Sequence, residues 1–165
     1  MADDQIAISI RGASKSYDGG VNDAIRDVWL DIRCGEFLAI VGGSGSGKTT
    51  LLKIINRLID PTTGTVRVFD TDVTTVDATH LRRSIGYVFQ EVGLFPHLTV
   101  AENIAITPRL LNWEGAAIAS RVNELLDLVR LSRETGERFP DTLSGGQRKR
   151  VGVAGADAAG PRRAV

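Results

Sequence analysis

The stretch "GGSGSGKT", Gly42 to Thr49, constrains this chain more than any other. It fits G-x-x-x-x-G-K-[ST], and it follows directly on the apolar run Phe37 to Val41. Glycines let a backbone curl until successive N–H groups point inward at one anion. A helix that opens at the end of such a loop adds its orphan N–H donors and the positive end of its dipole. Lys48 is then placed to reach the β- and γ-phosphates of a nucleotide, and the Thr49 hydroxyl to hold Mg²⁺. The pattern predicts a strand over Glu36 to Val41, buried on both faces, then the loop, then a helix from Lys48 to Ile59. Leu51, Leu52, Ile55 and Leu58 form the apolar stripe of that helix, and Asp60 and Pro61 end it.

The flanking segments fill in an α/β fold. "IAISI" (Ile6 to Ile10) and "DVWLDI" (Asp27 to Ile32) alternate apolar and polar residues, as half-buried strands do. The turn-rich "YDGGVND" lies between them, so the pair is expected to run antiparallel. Further strands are expected at Gly64 to Asp70 and Ser84 to Gln90. Thr99 and Glu102 stand at the spacing of a capping box and open a helix that Pro108 limits or kinks. Ile118, Val122, Leu125, Leu126 and Val129 recur at helical spacing between Glu114 and Leu131, the clearest amphipathic helix in the chain. Ser132 to Thr142 reads as a polar loop.

Bulk composition excludes little but sets the frame. The 20 basic and 20 acidic side chains cancel, which gives no general ground for nucleic-acid binding. A single cysteine, Cys34, cannot form an internal disulfide and fits a reducing compartment as a small residue near a strand. No apolar run approaches the ~20 residues of a membrane span, and the start "MADD" lacks the basic lead of a signal peptide. The expectation is a cytoplasmic protein without direct membrane insertion, able to sit at a membrane by gripping something embedded there.

A phosphate loop alone covers many nucleotide enzymes, and "LSGGQ" (Leu143 to Gln147) followed by "RKRV" decides between them. A hydroxyl and glycine N–H groups at a helix start make a second anion site. With the first loop, this motif resembles the ABC-family ATPases, over nearly the whole chain up to about Ala154. The resemblance implies a P-loop NTPase-type α/β domain with an N-terminal antiparallel β subdomain and a helical subdomain. It implies ATP and Mg²⁺ as cofactors, held by Gly42, Gly43, Ser44, Gly45, Ser46, Gly47, Lys48, Thr49 and Thr50. Tyr17 matches the aromatic that stacks on adenine, although on its own it reads equally as a half-buried loop tyrosine. Gln90 matches the glutamine that touches Mg²⁺ and the attacking water, so Thr49 and Gln90 are the expected metal-facing residues. Ser144, Gly145, Gly146 and Gln147 match the motif that caps the ATP of a second subunit packed head to tail.

Finer resemblance, in "INRLIDPTTG", "LRRSIGYVFQEVGLFPHLTVAENIAI" and "PRLLNW", points to the ATPase subunits of bacterial importers for glycine betaine, choline, carnitine or proline betaine. In such importers the region Gln90 to Val100 would meet a membrane-spanning permease subunit, on the inner face of the cell membrane. Phe95, Leu98 and His97 would line the receiving groove, although His97 reads as readily as an exposed loop histidine. The family continues past the signature with an apolar strand ending in Asp-Glu and then a switch histidine. Residues 155–165, "GADAAGPRRAV", match neither, and Pro161 would stop a helix. The expected organisation is therefore residues 1–154 as a partial ATP-binding domain and 155–165 as an aberrant, disordered tail, with the reading frame shifted near Ala154. Little hydrolysis is expected from such a chain. The competing readings are a non-hydrolysing ATP-binding fragment, a frameshifted product that does not fold stably, and, remotely, an unrelated P-loop kinase.

Overall fold

A computed structural model describes residues 5–160, which fall into two compact units, one up to Arg82 and one from Arg83 on.

The first unit is built on an antiparallel sheet. Strands β1 (Ile6–Ser16) and β2 (Asp23–Arg33) form the expected pair, with Ile8 opposite Ile32 and Ile10 opposite Leu30. β3 (Thr63–Val68) lies on the other side of β1 and turns into the short β4 (Thr71–Asp72), giving the order β2-β1-β3-β4. Phe69 and Asp70 make that turn at positive φ, which shortens the strand expected to run to Asp70. The period of two sends Ile8, Ile10, Val66 and Val68 to one buried face, where Ile8 pairs with Val68 and Ile10 with Val66. Helix α1 (Lys48–Ile55) packs on β2 and β3 with Leu51, Ile54 and Ile55 buried. Burial of each such side chain is worth about 1.5–3 kcal/mol. The helix stops at Asn56, four residues before Asp60, because Arg57 takes up a left-handed φ of 48° and donates to the carbonyl of Val76. Leu58 consequently leaves the expected stripe, and the fully buried Ile54 takes its place.

Helix α2 (Ala78–Arg83) spans the end of this unit, and the second unit is helical. α3 (Val100–Ile104) carries the expected capping box: Thr99 Oγ1 accepts from the Glu102 amide at 3.2 Å, and Glu102 Oε2 accepts from the Thr99 amide at 2.8 Å. α4 (Ile106–Leu110) begins afresh after Ala105. Pro108 sits in its first turn, where the missing N–H costs nothing. α5 (Gly115–Leu128) buries Val122, Leu125 and Leu126, as its period required. Two 3₁₀ turns, Arg133–Glu137 and Pro140–Thr142, lead to α6 (Gly145–Ala156). Val100, Ile104, Leu125, Leu126, Leu143 and Val151 close the core of this unit.

Two expected strands are not formed. Residues 36–43 adopt no regular structure, with Phe37 94% and Val41 87% exposed. Residues 84–90 carry only an isolated bridge at Gly86, with Val88 and Phe89 exposed. A strand buried on both faces draws its stability from parallel neighbours and from helices above and below. Among the described residues the one sheet is antiparallel throughout and offers neither segment such a place.

Of the tail expected over residues 155–165, the structure describes residues 155–160. α6 runs through Gly155 and Ala156, Asp157 caps it, and Ala158 is fully buried in the helical core. Arg121, itself largely buried, donates to the Asp157 carbonyl at 2.8 Å and its carboxylate at 3.0 Å. Small residues suit this position because α6 packs closely against α3 and α5. Pro161 lies outside the described residues.

Candidate functional site

The glycine-rich loop is curled although the strand before it is not formed. Lys48 Nζ donates to the carbonyl oxygens of Gly42 at 2.8 Å and Gly43 at 2.6 Å, and to Ser46 Oγ at 3.0 Å. The loop thus closes around an ammonium group. Gly47 sits at the N-cap of α1 with φ 86° and offers no side-chain cap. The first bond along the helix is Leu51 N–H to the Gly47 carbonyl, so the amides of Lys48, Thr49 and Thr50 are left without helical partners. Glycine is required at Gly47: a Cβ there would stand 2.4 Å from the Ala24 carbonyl oxygen and 2.5 Å from Ile25 Cγ2. A Cβ on Gly42 would stand 2.6 Å from Ser46 Oγ. By contrast, Gly43 and Gly45 face open space, and residues 42–46 are exposed. An open helix start, an ammonium held by neutral oxygens and room outside the loop fit an anionic phosphate chain. Among the described residues no cluster of His, Cys, Asp or Glu could cage a metal. The Thr49 hydroxyl fits the alternative, a magnesium ion carried largely by phosphate oxygens.

Ser144 to Gln147 form a helix start of a different kind. Ser144 Oγ accepts from the Gln147 amide at 3.2 Å, and Gln147 Oε1 accepts from the Ser144 amide at 2.9 Å, a second capping box. Ser144, Gly145 and Gly146 are exposed, and a Cβ on either glycine would meet nothing within 4 Å. Nothing among the described residues therefore demands glycine there. What the glycines leave is bare backbone that another body can approach.

The family model described as ABC transporter matches residues 25–162, a span that includes both helix starts. The chain belongs to the ABC transporter family. It is 49% identical over 146 residues to the carnitine transport ATP-binding protein of Listeria monocytogenes serotype 1/2a, covering 88% of this chain and 36% of that protein. It is 45% identical over 143 residues to the glycine betaine uptake system ATP-binding protein of Escherichia coli K12, covering 87% of this chain and 46% of that one. The chain thus spans less than half the length of these relatives. A dimeric ATP-binding cassette solved in a post-hydrolysis state with ADP and Pi superposes with a TM-score of 0.83 at 36% identity, covering 93% of this chain and 70% of that one. The expected ABC ATPase fold, incomplete relative to these cassettes, is therefore the one observed.

The remaining residues expected from the ABC pattern are scattered over both units. Tyr17 lies just after β1, 63% exposed, with its hydroxyl 3.4 Å from Thr50 Oγ1 and Lys15 Nζ 5.5 Å from its ring centroid. Gln90 lies exposed at a bend in the second unit. Phe95 and His97 stack edge to face, with ring centroids 5.9 Å apart. They do not line the cleft of about 400 Å³ in this unit, which is walled instead by residues of α3, α4 and α5, including Ala101, Arg109, Ile118 and Val122. None of the described helices is long and apolar enough to cross a membrane.

Sequence reasoning missed two organising residues. The buried Asn103 donates to the carbonyls of Phe95, Leu98 and Thr99 at 3.1, 3.0 and 2.9 Å and accepts from the Phe95 amide at 2.8 Å. It fixes the loop that holds Phe95 and His97, and its polar presence on the buried side of α3 was the available signal. The other is Asp18, which organises the turn around Tyr17. Serine and aspartate before paired glycines in "SYDGG" were the readable sign.

Proposed function

We propose that this chain binds Mg·ATP on residues 42–50 and forms part of the energy-coupling subunit of an importer for quaternary-amine osmoprotectants. One observation carries the proposal: the Lys48 ammonium is ringed by loop carbonyls at the uncapped start of α1. An ammonium held by neutral carbonyls exchanges them readily for phosphate oxygens, which bind it with charge assistance. The amides of Lys48, Thr49 and Thr50 then meet the phosphates, the Thr49 hydroxyl faces the magnesium ion, and Tyr17 offers an open aromatic face to adenine. Bound Mg²⁺ supplies neutralisation of charge on the phosphate oxygens. Gln90 is assigned to the metal and the attacking water.

Ser144, Gly145, Gly146 and Gln147 are assigned to the ATP of a second subunit, packed head to tail. The capping box leaves the Ser144 hydroxyl proton free to donate outward, beside the exposed Gly145 and Gly146. The segment Gln90 to Val100 is assigned to a membrane-spanning permease subunit, which would hold the chain on the inner face of the membrane. The carnitine and glycine betaine relatives support the transport class.

For the 165-residue polypeptide itself we propose ATP binding with little turnover. Phosphoryl transfer to water needs a residue that positions the nucleophile, and Gln90, the residue assigned to that task, lies exposed at a bend. Titration calorimetry with Mg·ATP tests the binding, and release of inorganic phosphate at saturating ATP tests the turnover. No heat at millimolar nucleotide overturns the first proposal; turnover of about 1 s⁻¹ or faster, the low end of ordinary enzyme rates, overturns the second.

A further inference from the structure

Tyr17 is the first residue after β1, and β2 opens only at Asp23. The connection contains Gly19 and Gly20 at φ 75° and 101°, and residues 17–23 are exposed. With its ring more than half open to water, Tyr17 gains little orientation from packing of its own side chain. The backbone on either side of it is what holds it.

That backbone is pinned by hydrogen bonds that converge from both directions. Ser16 Oγ donates to Asp18 Oδ1 at 2.7 Å and accepts from the Gly20 amide at 2.8 Å. Asp18 Oδ1 also accepts from the Asn22 amide at 2.8 Å, and Oδ2 accepts from Asn22 Nδ2 at 2.8 Å. The Ser16 amide donates to Thr62 Oγ1 at 3.1 Å, which fastens the turn to the residue before β3. Tyr17 is the residue enclosed between Ser16 and Asp18, and its hydroxyl points to Thr50, two positions after Lys48.

We infer that Asp18 is a positioning residue for base recognition: its carboxylate locks the turn that aims the Tyr17 ring, so it sets the affinity for the base half of a purine nucleotide without touching the phosphates. The inference rests on the reading of Tyr17 and residues 42–50 as an ATP site. Pre-organisation is the physical content. A loop already ordered in its binding geometry loses no freedom when the base arrives, whereas an unpinned glycine-rich turn does. The bonds are made by the ionised carboxylate. The Asn22 amide first, then the Ser16 hydroxyl and the Asn22 side chain hold its pKa down to about 2, so the lock persists at any working pH.

The test compares Mg·ATP with magnesium tripolyphosphate, which keeps the phosphates and lacks the base. Both are titrated calorimetrically into the 165-residue chain and into its Tyr17→Ala, Asp18→Ala, Asp18→Asn and doubly substituted Tyr17→Ala/Asp18→Ala forms. Tyr17→Ala is expected to weaken ATP about tenfold, the scale of one base–aromatic stack, and to leave tripolyphosphate unchanged. Asp18→Ala is expected to weaken ATP about threefold to tenfold, again with tripolyphosphate unchanged, and to add nothing in the Tyr17→Ala background. Asp18→Asn keeps one acceptor for the Asn22 amide and should fall between wild type and Asp18→Ala. It carries the comparison alone if the alanine form fails to fold. Equal loss for tripolyphosphate, or a full Asp18 effect in the absence of the Tyr17 ring, overturns the positioning role. An unchanged ATP affinity in Tyr17→Ala overturns the adenine platform itself, and the role of Asp18 with it.

Discussion

Lys48 Nζ lies 2.6 Å from the carbonyl oxygen of Gly43, five residues back along the chain, so the lysine folds over the loop that precedes its own helix. The charge proposed to meet phosphate is parked on the inside of the cradle. Lys48→Ala is therefore expected to weaken Mg·ATP and magnesium tripolyphosphate alike, by about tenfold to a hundredfold, the scale of a lost charge-assisted hydrogen bond. Calorimetric titration of the two ligands checks it, and a loss confined to ATP contradicts the assignment.

Gly47 and Gly43 look interchangeable in sequence and differ in the fold. Gly47→Ala places a Cβ 2.4 Å from the Ala24 carbonyl at a φ of 86°, whereas Gly43→Ala meets open space. The first is expected to cost at least about 2 kcal/mol, from left-handed backbone strain and the clash together. The second is expected to stay within about 0.5 kcal/mol. Urea unfolding of the two variants gives the comparison.

The start of α6 is closed by side chains. Ser144→Ala removes the acceptor for the Gln147 amide and should destabilise the helical unit by about 1 kcal/mol. The same substitution should abolish any ATP-dependent dimer, which sedimentation with Mg·ATP detects. Thr99→Ala, which opens the equivalent cap of α3, should match it in stability and leave dimerisation untouched.

Acid sensitivity follows from the direction of the carboxylate shifts. Asp18 titrates at about 2 in the fold, against an ordinary 3.8. A lowered folded pKa gives a stabilisation that is complete above the ordinary value and disappears as pH falls from there through about 2. Glu102 shifts the same way, through its bond from the Thr99 amide. The carboxyl resonance of Asp18 should therefore titrate near pH 2, and protection of the Gly20 and Asn22 amides should fade over the same interval. An ordinary titration midpoint contradicts the lock described for Tyr17.

Ala158 is fully buried, although its neighbours in sequence read as an aberrant tail. Ala158→Glu buries an unpaired carboxylate and should cost at least about 2 kcal/mol. A solvated tail would tolerate it at no measurable cost, so chemical unfolding of this one variant separates the two descriptions.

The parts of the molecule that were legible beforehand are those specified by neighbours in sequence. The capping box at Thr99 and the glycine loop each depend on residues a few positions apart, whose geometry chemistry fixes locally, and the β1–β2 pairing follows from two alternating runs joined by a turn-rich link. Glu36 to Val41 was not legible in this sense. Its apolar run states that the segment wants burial and says nothing of whether a parallel neighbour is at hand. The small residues after Ala154 are hard to read for the converse reason. Alanine and glycine carry little pattern, yet they suit a close approach of α6 to α3 and α5, which only the fold reveals. Asp18 lay between: its turn chemistry is local, but the anchor at Thr62 is far along the chain.

The exposed ribbon Phe37–Val41 has a practical outcome. An exposed aromatic and branched stretch with no strand beside it among the described residues invites the same stretch on another copy, and such contacts propagate by stacking. Solubility, more than the integrity of either unit, will then set the ceiling on usable concentration. Replacing Phe37 with lysine would raise that ceiling while leaving the Lys48 cradle unaltered.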